Sequence, residues 1–303
     1  MPDLADLFPG FASEWITTSK GRVFARVGGS GPPLIMFHGY PQTHVMWHKV
    51  AGELGKRFTL VMPDLPGYGW SDVPETDAKH LNFSKRAFAA TMVEVMEKLG
   101  HVRFGVAGHD RGGRVAYRLA LDHPGRVARL STLDIVPTYD YWAGMGRERA
   151  VRSYHWSFLA QHEPLPETMI GHDPRGYFKR TLAGWGRATK EDIFDPRAME
   201  HYLKALEAPE RIHAICEDYR AGAVPDFEID RADVDAGNKI KMPMLALWGS
   251  AGLAAAHGPS PLEIWQRWAI NVRGEAIQAG HFIAEENPAA TIAALSKFFA
   301  EAS

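Results

Sequence analysis

A chain of 303 residues can bury one large core, or a core with a smaller insertion. Hydrophobic residues make up 46% and charged residues 23%, the balance of an ordinary globular protein, and the net charge of −2 gives no electrostatic reason to expect nucleic acid or an anionic membrane as partner. A single cysteine, Cys216, excludes an intramolecular disulfide and suits a reducing compartment. The start Met1-Pro-Asp-Leu-Ala-Asp lacks the basic and apolar stretches of a signal peptide, and no apolar run approaches the ~18 residues of a membrane span. The expectation is a soluble cytoplasmic protein.

In chain order, residues 14–27 alternate loosely and predict an antiparallel hairpin leading into Gly28-Gly-Ser-Gly31. Pro33-Leu-Ile-Met-Phe37 is a short apolar run of the kind buried on both faces of a sheet, and it ends in His38-Gly39-Tyr40-Pro41. A helix over 47–54 and a second buried run, Thr59-Leu-Val-Met62, come next. Apolar residues at helical spacing (Phe88, Met92, Val95, Met96, Leu99) predict a helix over 84–99 that stops at Gly100. Phe104-Gly-Val-Ala-Gly-His109 reads as a strand, with a helix behind it to Leu121 and a further run at 130–135. Strands alternating with helices indicate a mainly parallel sheet flanked by helices. From about 137 to 237 no strand-like run appears, and aromatic residues and prolines predict a helical insertion of roughly 100 residues, the size of a small domain. The strand pattern resumes at Met244-Leu-Ala-Leu-Trp248, then a helix over 261–268, a last strand near 276–278, Gly280-His281-Phe282 and a closing helix over 289–299. The expected organisation is a core from 1–136 and 238–303 with a helical cap over 137–237.

Gly108-His109-Asp110-Arg111-Gly112 has the spacing of a nucleophile elbow, with aspartate where serine usually stands. The glycines suit a strained turn in which neighbouring side chains must be small. A carboxylate there cannot do serine chemistry, but it can attack a carbon and become an ester. Ligands of open α/β sheets bind at the carboxyl ends of the strands, which singles out His38, Asp64, Asp110, Asp134 and His281. His281, after the last strand, is the natural base. The stretch 249–261 holds no Asp or Glu, so Asp134 fills the place of the orienting acid. His38 and Asp64 are expected to brace loops, and His109 to pack.

Gly-His-Asp-Arg-Gly-Gly-Arg at 108–114, Tyr-His-Trp at 154–156 and Cys-Glu-Asp-Tyr-Arg-Ala-Gly at 216–222 closely resemble the fluoroacetate dehalogenases of the α/β-hydrolase superfamily. The likeness runs along the whole chain. It implies an α/β-hydrolase fold with a helical cap, hydrolytic dehalogenation of a haloacetate, no cofactor, no metal and a homodimer. It places the nucleophile on Asp110, the substrate carboxylate on Arg111 and Arg114, and the leaving halide on His155, Trp156 and Tyr219, with Trp185 in the pocket wall. Arg111 and Arg114, about one helical turn apart, would offset the repulsion between two carboxylates by binding the substrate anion through guanidinium forks. His155, Trp156 and Tyr219 can each donate a hydrogen bond to fluoride, although by residue type alone Trp156 and Tyr219 would be packing residues. Backbone N–H groups of Tyr40 and Arg111 would hold the oxyanion of ester hydrolysis. Tyr40 departs from the phenylalanine expected at its position, so its hydroxyl is expected to alter the polarity of the pocket.

Two other readings fit part of the pattern. An epoxide hydrolase would use the same elbow and base with cap tyrosines such as Tyr154 and Tyr219, but usually carries tryptophan after the nucleophile, where Arg111 stands. A hydrolase-fold ligand receptor would keep the elbow for binding alone.

Overall fold

The computed structural model describes residues 4–185, 193–252 and 259–301. The predicted hairpin is β1 (Ala12–Thr18) and β2 (Gly21–Gly29), paired antiparallel from Ala12 opposite Val27 to Thr18 opposite Gly21. Next come β3 (Pro33–Phe37), a 3-10 turn over His44–Trp47, α1 (His48–Leu54) and β4 (Thr59–Pro63). A second 3-10 turn, Leu81–Phe83, leads into α2 (Lys85–Lys98), capped by the Ser84 side chain accepting from the Ala87 N–H. The elbow joins β5 (Phe104–His109) to α3 (Asp110–Asp122), and β6 (Val127–Leu133) completes the first segment.

The helical insertion comprises α4 (Thr138–Ala143), α5 (Arg147–Arg152), α6 (His155–Leu159), α7 (Leu165–Gly171), α8 (Pro174–Trp185), α9 (Pro196–Ala205), α10 (Pro209–Ala223) and α11 (Pro225–Ala236). The chain then returns to the sheet as β7 (Met244–Gly249), α12 (Pro261–Trp268), β8 (Val272–Ile277), α13 (Ile283–Glu286) and α14 (Pro288–Ala300). Proline opens α9, α10, α11, α12 and α14, where its missing N–H would have had no helical partner. At α12 the start is fixed further by a capping box between Ser260 and Glu263.

The eight strands form one sheet in the order β1-β2-β4-β3-β5-β6-β7-β8. Only β1–β2 and β2–β4 pair antiparallel, and the other five pairs are parallel. Nearly every residue of β3, β5 and β6 is buried, polar Ser131 and Thr132 of β6 included, as central strands covered by helices on both faces require. No helix among the described residues is long and apolar enough to cross a membrane.

The last strand differs from expectation. It runs over Val272–Ile277, several residues earlier than 276–278. As the edge strand it alternates half-buried and exposed residues, so its Arg273, Gly274 and Glu275 show no apolar run to read.

Candidate active site

The elbow owes its shape to its glycines. A Cβ added at Gly108 would lie 2.4 Å from the carbonyl oxygen of Gly112, and one at Gly112 would lie 2.2 Å from that of His38. Between them Asp110 takes a φ of 48°, the left-handed region that side chains other than glycine seldom adopt. Its carboxylate therefore stands at the head of α3, at the carboxyl end of a central strand, and accepts the Tyr40 N–H at 2.8 Å. The N–H of Arg111, in the first turn of α3, has no partner within the helix.

His281 follows β8 and Asp134 follows β6. The His281 Nδ1–H donates to Asp134 Oδ2 at 2.6 Å, and Nε2, which has no hydrogen-bond partner, faces Asp110 Oδ2 at 3.7 Å. That separation is too long for a hydrogen bond and leaves Nε2 directed at the surroundings of the Asp110 carboxylate. Asp134, like Asp110, has a positive φ, 52°. Its other oxygen accepts the Gly249 N–H at 2.9 Å, and a Cβ at Gly252 would lie only 2.8 Å from its carboxylate. The first turn after β7 is thus shaped to admit an acid arriving from β6. Residues 253–258 of the acid-free loop lie outside the described residues.

The electrostatics separate the charges. Burial acts to raise the Asp110 pKa, but His281, His109, Arg114 and Arg111 outweigh it and hold the carboxyl below its usual value. For His281, burial opposes the cation, yet the hydrogen bond and charge of Asp134, with Asp110 and Glu286, raise its pKa above the ordinary 6.5. His109 is driven down to about 4, chiefly by burial and then by the charge of His281. It is neutral at pH 7 and donates through Nε2 to the His281 carbonyl at 2.8 Å, the packing role expected of it. His38 and Asp64 brace loops: His38 Nε2 accepts the Leu65 N–H, and Asp64 accepts from the His44 and Trp70 N–H groups.

Around Asp110 lies a cavity of about 850 Å³, lined among others by Arg114, Asp134, His155, Trp156, Trp185 and His281. The two arginines are not equivalent, and this corrects the expectation of two free forks. Arg111 is fully buried and locked onto Asp218 of α10, through Nε at 2.8 Å and Nη2 at 3.0 Å, while Nη2 also donates to the Asp218 carbonyl at 2.6 Å. Only its Nη1, buried without a partner, remains. Arg114 bonds the protein through Nη1 alone, to Val136 O at 2.9 Å and Thr138 Oγ1 at 3.3 Å, so its Nε, also buried and unpaired, and the Nη2 beside it form the open fork.

Tyr219 and Trp156 lie across these cations, with the Arg111 guanidinium 4.2 Å from the Tyr219 ring and that of Arg114 4.5 Å from the Trp156 ring. His155 completes the group, its ring 5.8 Å from Tyr219, and Trp156 is 5.9 Å from the same tyrosine. Burial, with the charges of His281 and both arginines, drives the His155 pKa down to about 3 against the pull of Asp110, so the ring is neutral and its Nδ1 has no partner. Trp185 stands between the two histidines, 4.3 Å from His155 and 5.6 Å from His281, and its carbonyl accepts the His281 N–H. The Tyr40 hydroxyl is buried beside the Tyr177 hydroxyl, and its ring lies in a cage of His155, Phe178, Trp185 and Tyr219. Tyr154, half exposed, lines the cavity.

Residues 32–202 match the α/β hydrolase fold family. The chain belongs to that family. Among α/β-hydrolases it is 41% identical to a fluoroacetate dehalogenase of Burkholderia sp, over 98% of this chain and 96% of that one. It is 32% identical to a soluble epoxide hydrolase of Corynebacterium sp., over 90% and 91%. The solved structure of ALR0039 from Nostoc sp PCC 7120 superposes with a TM-score of 0.93 at 44% identity, covering 96% of this chain and 99% of that one.

Three participants in this α/β-hydrolase site are absent from the sequence reading. Asp218 is the partner of Arg111 across 107 positions, and Glu285 and Glu286 sit beneath the His281 turn. Asp218 lay within a quoted motif, and its position one residue before Tyr219 was the only available signal. Among the described residues no group of three or more His, Cys, Asp or Glu side chains could hold a metal ion.

Proposed function

We propose that this α/β-hydrolase is a hydrolytic dehalogenase of haloacetates, releasing glycolate and halide. The observation that carries the reading is the buried cationic floor beside Asp110, where Arg111 Nη1 and Arg114 Nε are N–H groups without a protein acceptor. A buried unpaired guanidinium N–H is costly, and a small carboxylate bound at Arg114, which lines the cavity, would satisfy its fork while the charge of the fully buried Arg111 adds to the attraction. A neutral epoxide would not.

In this mechanism the Arg114 fork holds the substrate carboxylate, with the buried charge of Arg111 in support, and Asp110 displaces halide from the α-carbon. The C–O ester bond forms as the carbon–halogen bond breaks, and the halide leaves with the bonding pair toward His155, Trp156 and Tyr219. Neutral His155 can donate one N–H to it. His281 Nε2 then takes a proton from water, which attacks the ester carbonyl. The oxyanion collects the Tyr40 N–H, already 2.8 Å from an Asp110 oxygen, and the Arg111 N–H. Collapse breaks the bond to the glycolate oxygen, which takes the proton back from His281, and Asp110, freed as a carboxylic acid, loses its proton to return to the carboxylate. Asp134 keeps the His281 ring in the tautomer that exposes Nε2.

The second reading, an epoxide hydrolase, rests on the 32% identity to the Corynebacterium enzyme and on the cap tyrosines Tyr154 and Tyr219. Halide release from fluoroacetate and chloroacetate, measured beside diol formation from styrene oxide, separates the two. Turnover of the epoxide alone refutes the haloacetate reading, and binding of haloacetate without halide release would mark a receptor. In a single turnover in oxygen-18 water the first glycolate carries an unlabelled oxygen from Asp110, whereas a labelled one would mean direct attack by water. A homodimer in a cytoplasmic setting is part of the same proposal, checked by sedimentation and by fractionation.

A further inference from the structure

The base of this site hangs on a short turn, and that turn is held by two consecutive carboxylates. Glu286, half-buried at the end of α13, reaches back to the N–H groups on either side of the base, accepting from Gly280 at 2.8 Å and from Phe282 at 3.0 Å. His281 is the residue between them. Its own N–H goes to the Trp185 carbonyl and its carbonyl accepts from His109, so the three consecutive N–H groups of Gly280, His281 and Phe282 are all held, two of them by Glu286. The neighbouring Glu285 is fully buried and fastens the same helix to the oxyanion loop. It accepts from Gln42 Nε2, two residues beyond Tyr40, and from the Tyr202 hydroxyl at 3.1 Å. The Lys49 ammonium donates to the Glu285 carbonyl at 3.0 Å.

We infer that Glu286 is a positioning residue for His281, fixing the turn so that Nδ1 meets Asp134 while Nε2 stays directed at the carbonyl of the Asp110 ester. Glu285 anchors the brace itself, tying α13 to the loop that carries the Tyr40 N–H. The inference rests on His281 acting as the base of ester hydrolysis. Capping of a four-residue helix would by itself explain one of the two hydrogen bonds, the one from Phe282, but not the one from Gly280, which lies before the helix and on the far side of the base. The consequence is selective. Asp110 attack on the α-carbon needs the nucleophile, the arginines and the halide donors, whereas Glu286 holds the N–H groups on either side of the base. Ester hydrolysis needs His281 aligned to within a few tenths of an ångström of its working place.

The experiment compares the wild-type protein with Glu286→Gln, Glu286→Ala and Glu286→Asp, using chloroacetate as the probe. Rapid mixing gives the chloride burst and the steady-state rate, and quenched intact-mass spectrometry gives the fraction of chains carrying the aspartyl ester. The expected result for Glu286→Ala is a burst rate within about threefold of wild type, a steady-state rate at least tenfold lower, and ester on most chains. Glu286→Gln, which keeps one acceptor, falls between. Burst and steady state falling together, or neither changing, overturns the inference. A second readout needs no substrate. The charged and titratable groups facing the His281 ring are Asp134, Asp110, His109, His155 and Glu286. NMR titration of that ring should show its pKa moved down in Glu286→Gln with the low-field Nδ1 proton broadened, and an unchanged titration and proton signal refute the brace. If the wild-type protein releases no chloride, the functional reading fails while the NMR arm still decides on Glu286.

Discussion

Replacing Asp218 by alanine tests how the substrate floor is held. Four donors converge on this fully buried carboxylate: Arg111 Nε at 2.8 Å, Arg111 Nη2 at 3.0 Å, the Tyr68 hydroxyl at 2.7 Å and the Lys85 ammonium. Removing one partner of a buried ion pair typically costs about 3–5 kcal/mol, because the other charge stays buried. Here Lys85 keeps Asp226 at 3.0 Å and Arg111 keeps the Asp218 carbonyl, which places the cost at the lower end, about 3 kcal/mol. In a chain of 303 residues that is a fall of about 5 °C in melting temperature. Asp218→Asn keeps the volume but not the charge, and frees the Arg111 guanidinium from its fixed orientation. The loss of one well-aimed charged interaction with the substrate, about 1.5 kcal/mol, predicts a KM for haloacetate raised about tenfold with kcat changed less. The pH sign follows from Asp218 lying below its ordinary pKa: burial opposes this, and Arg111 and Lys85 outweigh it. Its stabilisation is complete above about pH 4, the unfolded value, and fades as pH falls through the lower folded value. Wild type and Asp218→Asn therefore differ by a constant amount near neutrality and converge in acid. Urea and thermal unfolding of both variants, with steady-state kinetics, make the measurement. An Asp218→Asn protein that melts within a degree of wild type and binds haloacetate as tightly would refute the argument.

Other outcomes follow from the same geometry. Asp110→Asn should abolish halide release yet leave the melting temperature nearly unchanged, since asparagine tolerates the left-handed φ of 48°; loss of the fold would show that the charge holds the elbow. Because His281 lies above its ordinary pKa, ester hydrolysis should rise with pH along a limb above 6.5, and Asp134→Asn should move that limb down and cut the rate by roughly 10³–10⁴, read from pH–rate profiles. Gly252→Ala puts a methyl group 2.8 Å from the Asp134 carboxylate and should slow ester hydrolysis about tenfold or more with little change in KM, measured by single-turnover quench. Arg147, Arg149, Arg152 and Arg180 line the same cavity against Glu148, so kcat/KM for an anionic substrate should fall as salt rises to 0.5 M, and charge-reversed variants should flatten that dependence.

Much of the fold was legible because β3 and β7 carry unbroken apolar runs, while β5 and β6 mix apolar with small and polar residues, and cover on both faces, which favours such runs, is also what makes these strands central. The edge strand β8 escaped because exposure removes the pattern. At the site, Asp110 showed itself through glycines adjacent in sequence, and Asp134 and His281 through their places after strands. The pairing of Arg111 with Asp218 had no such trace, since it depends on how α10 settles over α3. Glu286 was hidden differently: its partners are backbone N–H groups, which every residue type supplies.

The helical insertion also has a duty to the sheet. β6 and β7 are parallel neighbours, so the chain must travel back the length of a strand, about 20 Å for six residues, before β7 can begin. The 12 residues of α11 span about 18 Å, and Asp230 and Asp233 on it bind Tyr117 and Arg118 of α3. α11 is therefore the return leg of a crossover, and the stretch from 138 to 224 is an excursion made before that return. A graft that exchanges this excursion for another, joined at Pro137 and Val224, would keep the sheet's connectivity intact. One that also removes α11 would leave β7 out of reach.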